Sequence, residues 1–287
     1  MEAAGRRYIY HSSAKDVIKI YSLADIHYGN RGAHMELFLK DVQKIRDDPY
    51  AFWVGGGDYA DYIGVGDKRF DARVLSSDLI IEDLGQLGFV LTSNIKKYFE
   101  PIKHKCLGLL FGNHEDKYQK TNQQMQLHQW LCTELGVRNL GYCALFDVVI
   151  GQSKAKGAVL EPKPRHKNKV SNVMSYRIFC HHGAGGAQTA GGKINRLVGF
   201  MNAFEADIYM SAHSHDAIAK RIASIHANAS CTEITNHDKV GFVTGSYLRT
   251  YTQGVTGYGE VKGYAPVPLG ALCVEIHTSN GEARVTI

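Results

Sequence analysis

The chain is poor in proline, in cysteine and in long apolar runs. Only six of its 287 residues are proline, which leaves little material for extended flexible linkers. Its six cysteines, Cys106, Cys132, Cys143, Cys180, Cys231 and Cys273, stand apart with no C-x-x-C or other close pair. In a chain of this length they read as reduced, mostly buried small hydrophobes, which argues against a disulfide scaffold or a zinc ribbon. The longest apolar stretches, such as residues 106–111, fall far short of the roughly 18–20 residues a spanning helix needs, so no membrane partner is expected. The opening residues MEAAGRRYIYHSSAK lack the apolar core of a secretory signal, and a cytoplasmic protein is expected. Charge is nearly balanced, 33 Lys+Arg against 28 Asp+Glu for a net +5, a mild bias toward a polyanionic partner. Histidine is what the chain has in excess, 14 in all, several of them beside Asp, Asn or another His.

Residues 17–23 (VIKIYSL) form a β-rich run, and Leu37, Phe38, Val42 and Ile45 follow at helical spacing. A second apolar strand, 51–54, stops at Gly55-Gly56-Gly57-Asp58. Leu79, Ile80, Leu84, Leu87, Leu91, Ile95 and Phe99 predict one long helix over 76–99, or two broken near 85–88. A third buried strand spans 105–111, and a helix is expected over 122–135. Beyond Leu140 strands dominate: 142–150 paired with 173–180, then a helix near 193–204 and a strand at 207–210. Further strands are expected at 217–225, 240–245 and 269–277. This pattern predicts an α/β layered sandwich. No composition break divides it, so residues 1–287 are expected to form a single domain carrying a basic loop insertion at about 152–172.

Five of the predicted strands run straight into polar groups: Asp25/His27, Asp58, Asn113/His114, His181/His182 and His213/His215. In α/β sheets the carboxyl ends of strands share the edge where ligands bind, so loops distant in sequence converge there. Asp, Asn and His offer oxygen and nitrogen donors suited to Mn, Fe, Zn or Ni. They are too many for one tetrahedral ion, and a carboxylate can bridge two. Singly, each cluster is an ordinary cap, turn or surface histidine; five at five strand ends are not an accident. Competing motifs fail. Gly192-Lys193-Ile194 lacks the Ser or Thr of a P-loop, Tyr118 stands where a zinc protease helix would carry its second His, and no G-x-S-x-G is present.

The ordered series D-x-H, G-D, G-N-H-E, H and H-x-H resembles the calcineurin-like metallophosphoesterases over Asp25 to His215, about two thirds of the chain. The resemblance implies an α/β sandwich of two mixed β-sheets flanked by helices, with a dinuclear metal centre at the strand ends. By position, Asp25, His27 and His215 would bind one divalent ion. Asn113, His213 and a member of the 181–182 pair would bind the other, with Asp58 bridging; His182 is preferred because it directly precedes Gly183, and His181 is the alternative. Manganese heads the candidate ions, with iron, zinc or nickel also admitted. His114 would face the substrate as a catalytic group, and Glu115 has the chemistry to orient an imidazole. Ala212 replaces the usual Gly before the last H-x-H, which is tolerable if its backbone avoids positive φ. The continuation of Asp58 as Tyr-Ala-Asp-Tyr, without an Arg, departs from the Ser/Thr protein phosphatases.

The implied activity is hydrolysis of a phosphoester by metal-activated water. A phosphodiesterase or nuclease acting on nucleic acid or nucleotides is the preferred expectation. A phosphomonoesterase is the first alternative, and a non-catalytic metal-containing binding module the alternative from another class. Candidate substrate contacts are Lys193 and Arg196 after the His pair, and Tyr247 and Arg249 in the Tyr-rich segment 245–264. The basic segment 154–169, with six Lys/Arg against Glu161, is either a path for a phosphodiester backbone or a solvated hairpin loop. The stretch Gly245-Ser246-Tyr247-Leu248-Arg249 also resembles phage-encoded members of that family, which would place the protein in a host cytoplasm.

Overall fold

The computed structural model describes residues 1–122 and 126–287. In chain order the strands and helices begin β1 (Glu2–His11), β2 (Val17–Leu23), α1 (Met35–Asp47), β3 (Ala51–Gly55), α2 (Leu87–Phe99), β4 (Cys106–Leu109), α3 (Asn113–Asn122) and α4 (Leu127–Leu135). They continue β5 (Cys143–Gln152), β6 (Ala158–Glu161), β7 (Ser171–His181), α5 (Ala190–Ala203), β8 (Ile208–Ser211), β9 (Ile218–Ala227), β10 (Ile234–Val243), α6 (Tyr258–Val261), β11 (Cys273–His277) and β12 (Glu282–Thr286). A seven-stranded sheet runs β6-β1-β5-β7-β8-β10-β9 and a five-stranded sheet β12-β11-β2-β3-β4. Both sheets mix parallel and antiparallel pairs.

Side-chain alternation explains the layering. Within β3, Phe52 and Val54 enter the core between the sheets, while Trp53 faces the opposite way into a helix-covered core. Phe146, Val148 and Ile150 of β5 face the same inter-sheet core, opposite Ile18 and Ile20 of β2. Each such fully buried side chain contributes roughly 1.5–3 kcal/mol. Leu87, Leu91, Ile95 and Phe99, at four-residue steps, lay one stripe of α2 onto the outer face of the five-stranded sheet, beside α1 and α4. On the other side Leu197 and Met201 of α5 cover Phe179 and Tyr209.

The expected 76–99 helix starts later: a 3₁₀ turn, Ile81–Gln86, precedes α2. Of the helix expected over 122–135, residues 123–125 lie outside the described residues and α4 begins at Leu127. The strand β1 was not foreseen; it pairs parallel with β5, one strand in from the β6 edge of the large sheet. All six cysteines are free, four of them buried. Among the described residues no helix is long and apolar enough to cross a membrane.

Strand direction determines what can meet. β2, β3 and β4 run parallel, as do β7, β8 and β10, so six carboxyl ends open at one rim of the sandwich. β5 is antiparallel to β7, with Cys143 opposite His181 and Gln152 opposite Ser171. The basic segment between them therefore leaves and re-enters the sheet at the rim remote from those ends. There Arg165 is bound to Glu161 at 2.5 Å and lies over the Tyr10 ring, and Ala158 N–H donates to Pro49 O. The segment does not line the cleft, and a substrate path along it is corrected to a structural strap.

Candidate metal centre

At the common rim the strand-end loops are tied to one another by main-chain bonds. Asp25 N–H donates to Gly57 O, Ile26 N–H to Asp58 O and Ala212 N–H to His182 O, all within 3.1 Å. Glu115 reinforces this from the first turn of α3. Its buried carboxylate accepts from Gly112 N–H at 2.8 Å, Tyr59 N–H at 2.8 Å and Asp58 N–H at 3.0 Å. It thus fastens loops and does not orient an imidazole, contrary to expectation. Burial, with Asp58 close by, pushes its carboxyl up to about 7.

The loops bring together every predicted ligand. Asp25, His27 and His215 each present a donor atom within 4.8 Å of the others, as do Asp58, His182 and His213. Asn113 Oδ1 joins the second group 3.1 Å from His182 Nε2, which also lies 3.3 Å from Asp58 Oδ2. Five of the seven, Asp25, His27, Asp58, His213 and His215, hold left-handed backbone with φ between 48° and 65°. Such conformations cost about 1–3 kcal/mol each and persist where the surroundings over-determine them. Ala212 does not adopt positive φ, so its replacement of glycine is without strain. Gly57 and Gly112 are obligatory for close approach. A Cβ on Gly57 would lie 2.5 Å from Gly112 N, and one on Gly112 would lie 2.1 Å from Asp58 Oδ1.

The neighbours of each imidazole determine which nitrogen is free. His27 Nδ1 faces Asp61 Oδ1 at 3.1 Å, His182 Nδ1 donates to Gly56 O at 2.7 Å, and His213 Nε2 donates to Gly185 O at 3.2 Å. A carbonyl or carboxylate accepts only, so a proton sits on each of these nitrogens and the other nitrogen is the one turned to the centre. On His182 that Nε2 itself faces Asn113 Oδ1 and Asp58 Oδ2; burial opposes its charge, yet Asp58 raises the imidazole to about 10. Burial holds His27 and His213 below the usual imidazole range. Burial opposes the charge on Asp58, yet His182 and then His114 hold its carboxyl well below the usual range; His215 does the same for Asp25. One buried oxygen, Asp25 Oδ1, has no hydrogen-bond partner among the described residues, though it forms an ion pair with His215 Nε2, 3.3 Å away. A buried carboxylate oxygen without a hydrogen bond is costly on its own. The donor set of carboxylates, an amide oxygen and imidazole nitrogens fits divalent cations, which would displace the His182 proton.

The His181/His182 alternative is resolved by strand alternation. His182 turns into the centre, whereas His181 accepts from Gly183 N–H at 2.7 Å and stacks on Phe200 of α5. His114 lies edge-on to His27, ring centroids 4.7 Å apart, and its backbone N–H donates to Asp58 Oδ1 at 2.9 Å. Its Nδ1 binds the main-chain carbonyl of Asp61, and Nε2 takes no part in that bond. Asp61, three residues after Asp58, was given no role from the sequence, although a carboxylate at that spacing was a visible signal.

The expected substrate contacts fare differently. Tyr247 is fully buried, its hydroxyl on Asp41 Oδ2 at 2.9 Å and its ring against Phe38; it is a core residue and has no face for a substrate. Lys193 is 8% exposed and paired with Asp216 at 3.0 Å, which occupies its charge. Arg196 packs on the Gly185 turn behind His213, its Nη1 buried and unpaired. Arg249 is half-buried and its N–H donates to Gly32 O, on the loop following His27. The half-buried rings bordering the centre are instead Phe111 and Tyr142, centroids 5.6 Å apart, with Tyr142 edge-on to His182.

No protein-family model and no curated protein matches this sequence. Among solved structures the chain is similar to a single-substitution variant of Vps29 from Entamoeba histolytica, at 11% identity and TM-score 0.39, over 94% of this chain and 97% of that one. It is also similar to GAP50, the anchor in the inner membrane complex of Plasmodium, at 11% identity and TM-score 0.43, over 93% and 86%. At these scores neither likeness carries an argument about family or activity.

Proposed function

We propose that the protein is a calcineurin-like metallophosphoesterase that hydrolyses phosphodiester bonds of nucleic acid or nucleotides. The observation that carries this is two adjoining ligand groups, Asp58 of one presenting a donor within 4.8 Å of His27 of the other, with Asp25 Oδ1 buried and without a hydrogen bond among the described residues. Asp25, His27 and His215 would hold one divalent ion and Asn113, His182 and His213 the other, with Asp58 between them. Two such ions supply positive charge to a phosphoryl group and an activated water for in-line attack. The chain's own groups do the rest. His114, its Nδ1 held by Asp61, directs Nε2 toward the reacting phosphate to stabilise charge or protonate the leaving oxygen. Gly56, Gly185 and Asp61 keep the ligand imidazoles in the tautomer a cation requires. Phe111 and Tyr142 offer a flank on which a base can stack, which favours a nucleotide over a simple monoester. Six free thiols suit a reducing, cytoplasmic setting.

The test compares bis-p-nitrophenyl phosphate with p-nitrophenyl phosphate under manganese, followed by labelled single- and double-stranded DNA. The diester should be preferred and DNA cut. Preference for the monoester with DNA intact would favour a phosphomonoesterase; no turnover with any metal would favour a binding module.

A further inference from the structure

We propose that Arg69 and Lys117 form a second phosphate subsite beside His114, so that the preferred substrate is a strand bearing several phosphates and not an isolated diester. This deepens the phosphodiesterase reading and rests on it.

His114, Lys117, Tyr118 and Thr121 fall on one face of α3 by their three-, four- and seven-residue spacing. The chain leaving β3 touches this face twice. Asp61 O holds His114 Nδ1. Six residues later Asp67 Oδ2 takes Lys117 Nζ at 2.8 Å, one turn (about 5.4 Å) further along the helix. Asp67 is also gripped by the fork of Arg69, with Nη2 at 2.9 Å and Nε at 3.2 Å. Arg69 thereby shares a carboxylate with Lys117, and its guanidinium is close enough to oppose the charge on His114. Beside Asp67 and Lys117 lies a cavity of about 180 Å³, lined also by Tyr62, Gly64 and Thr121, with neither Arg69 nor His114 in its wall.

The charges around Asp67 do not cancel. Two cations share one carboxylate, which leaves the cluster at about +1. Arg69 and Lys117 remain 30% and 46% exposed against 12% for Asp67. Arg69 Nη1 has no hydrogen-bond partner among the described residues, since Asp67 takes only Nε and Nη2. Arg69 first, then Lys117, holds the Asp67 carboxyl far below its ordinary range, so the anchor stays ionised at any working pH. A free guanidinium N–H beside an ammonium held by the same carboxylate, the ammonium borne by the helix residue one turn after His114, is the chemistry that takes a neighbouring phosphate of the same strand.

Wild type, Arg69→Gln, Arg69→Lys and Lys117→Gln, loaded with manganese, are assayed on a single-stranded oligonucleotide and on bis-p-nitrophenyl phosphate, which carries one phosphate. In Arg69→Gln the ratio of kcat/KM for oligonucleotide over diester should fall about tenfold, through KM; Arg69→Lys, keeping the charge without the fork, should lose less. Oligonucleotide binding by chelator-treated protein, followed by fluorescence anisotropy against salt, reads the same cations without turnover. Each lost cation should reduce the log–log salt slope by about 0.7. An unchanged ratio with an unchanged slope overturns the subsite, as does an equal loss on both substrates. Wild type that cleaves bis-p-nitrophenyl phosphate but neither binds nor cuts the oligonucleotide overturns the subsite and leaves a phosphodiesterase. Wild type that cleaves only p-nitrophenyl phosphate removes the phosphodiesterase reading, and the anisotropy slopes then decide the subsite alone.

Discussion

The backbone N–H of His213 donates to Asp25 Oδ2 at 2.8 Å across 188 residues of sequence. This bond joins the end of β8 in the large sheet to the end of β2 in the small one. It occupies one carboxylate oxygen and leaves Oδ1 facing His215. The candidate centre therefore lies on the seam of the sandwich, and its geometry depends on how the two sheets are packed.

Asp58 and His114 should separate cleanly by substitution. Asp58→Asn, which alters a carboxylate of one cluster that also lies within 4.8 Å of His27 in the other, should lose bound metal and activity together. His114→Asn should retain the metals and lose about a hundred- to ten-thousand-fold in kcat. Elemental analysis beside turnover distinguishes them, and metal loss in His114→Asn would contradict its assigned place.

Asp61 reaches His27 through its carboxylate and His114 chiefly through its main-chain carbonyl, its Oδ1 lying 3.6 Å from His114 Nδ1. Asp61→Asn keeps the carbonyl, so the effect should fall on His27. Metal affinity should weaken about 10–100-fold, with kcat at saturating metal changed much less. Metal titration followed by calorimetry, with kinetics at high metal, checks the split.

Among the described residues Glu115 is the sole side-chain acceptor for three buried amides from two loops. Glu115→Ala leaves them unpaired at about 1–3 kcal/mol each, so a loss of about 3 kcal/mol or more is expected in urea unfolding. Glu115→Gln retains a carbonyl acceptor and should cost clearly less.

His128 is buried, bonded to Asn139 Oδ1 at 3.1 Å, and burial lowers its imidazole to about 4. From pH 6.5 down to about 4 the unfolded chain takes a proton there that the folded protein refuses. Stability should therefore fall across that window, by on the order of 3 kcal/mol from this group, and not further below it. Denaturant unfolding of wild type and His128→Gln over pH 4–7 should show the variant with the shallower slope.

Much of the centre was legible because its donors occupy strand ends in an ordered motif, and strand ends are visible as apolar runs stopping at Gly, Asp or His. The strands β2, β3, β7 and β8 were accordingly expected close to where they lie. β1 and β6 were not, since their alternation is weak and their partners are far along the chain. Asp61 and the Phe111–Tyr142 flank were missed because a lone carboxylate or ring acquires meaning only from what stands opposite it.

The order of the motifs, the donor types and the α/β layering were determined by the sequence alone, because local residue pattern dictates where strands stop and what they end in. Only tertiary structure decided that His182 and not His181 faces inward, that Tyr247 is spent on Asp41, and that the basic segment lies at the remote rim. Those outcomes follow from strand direction, two-residue alternation and burial, which arise from long-range pairing and leave no local mark on the chain.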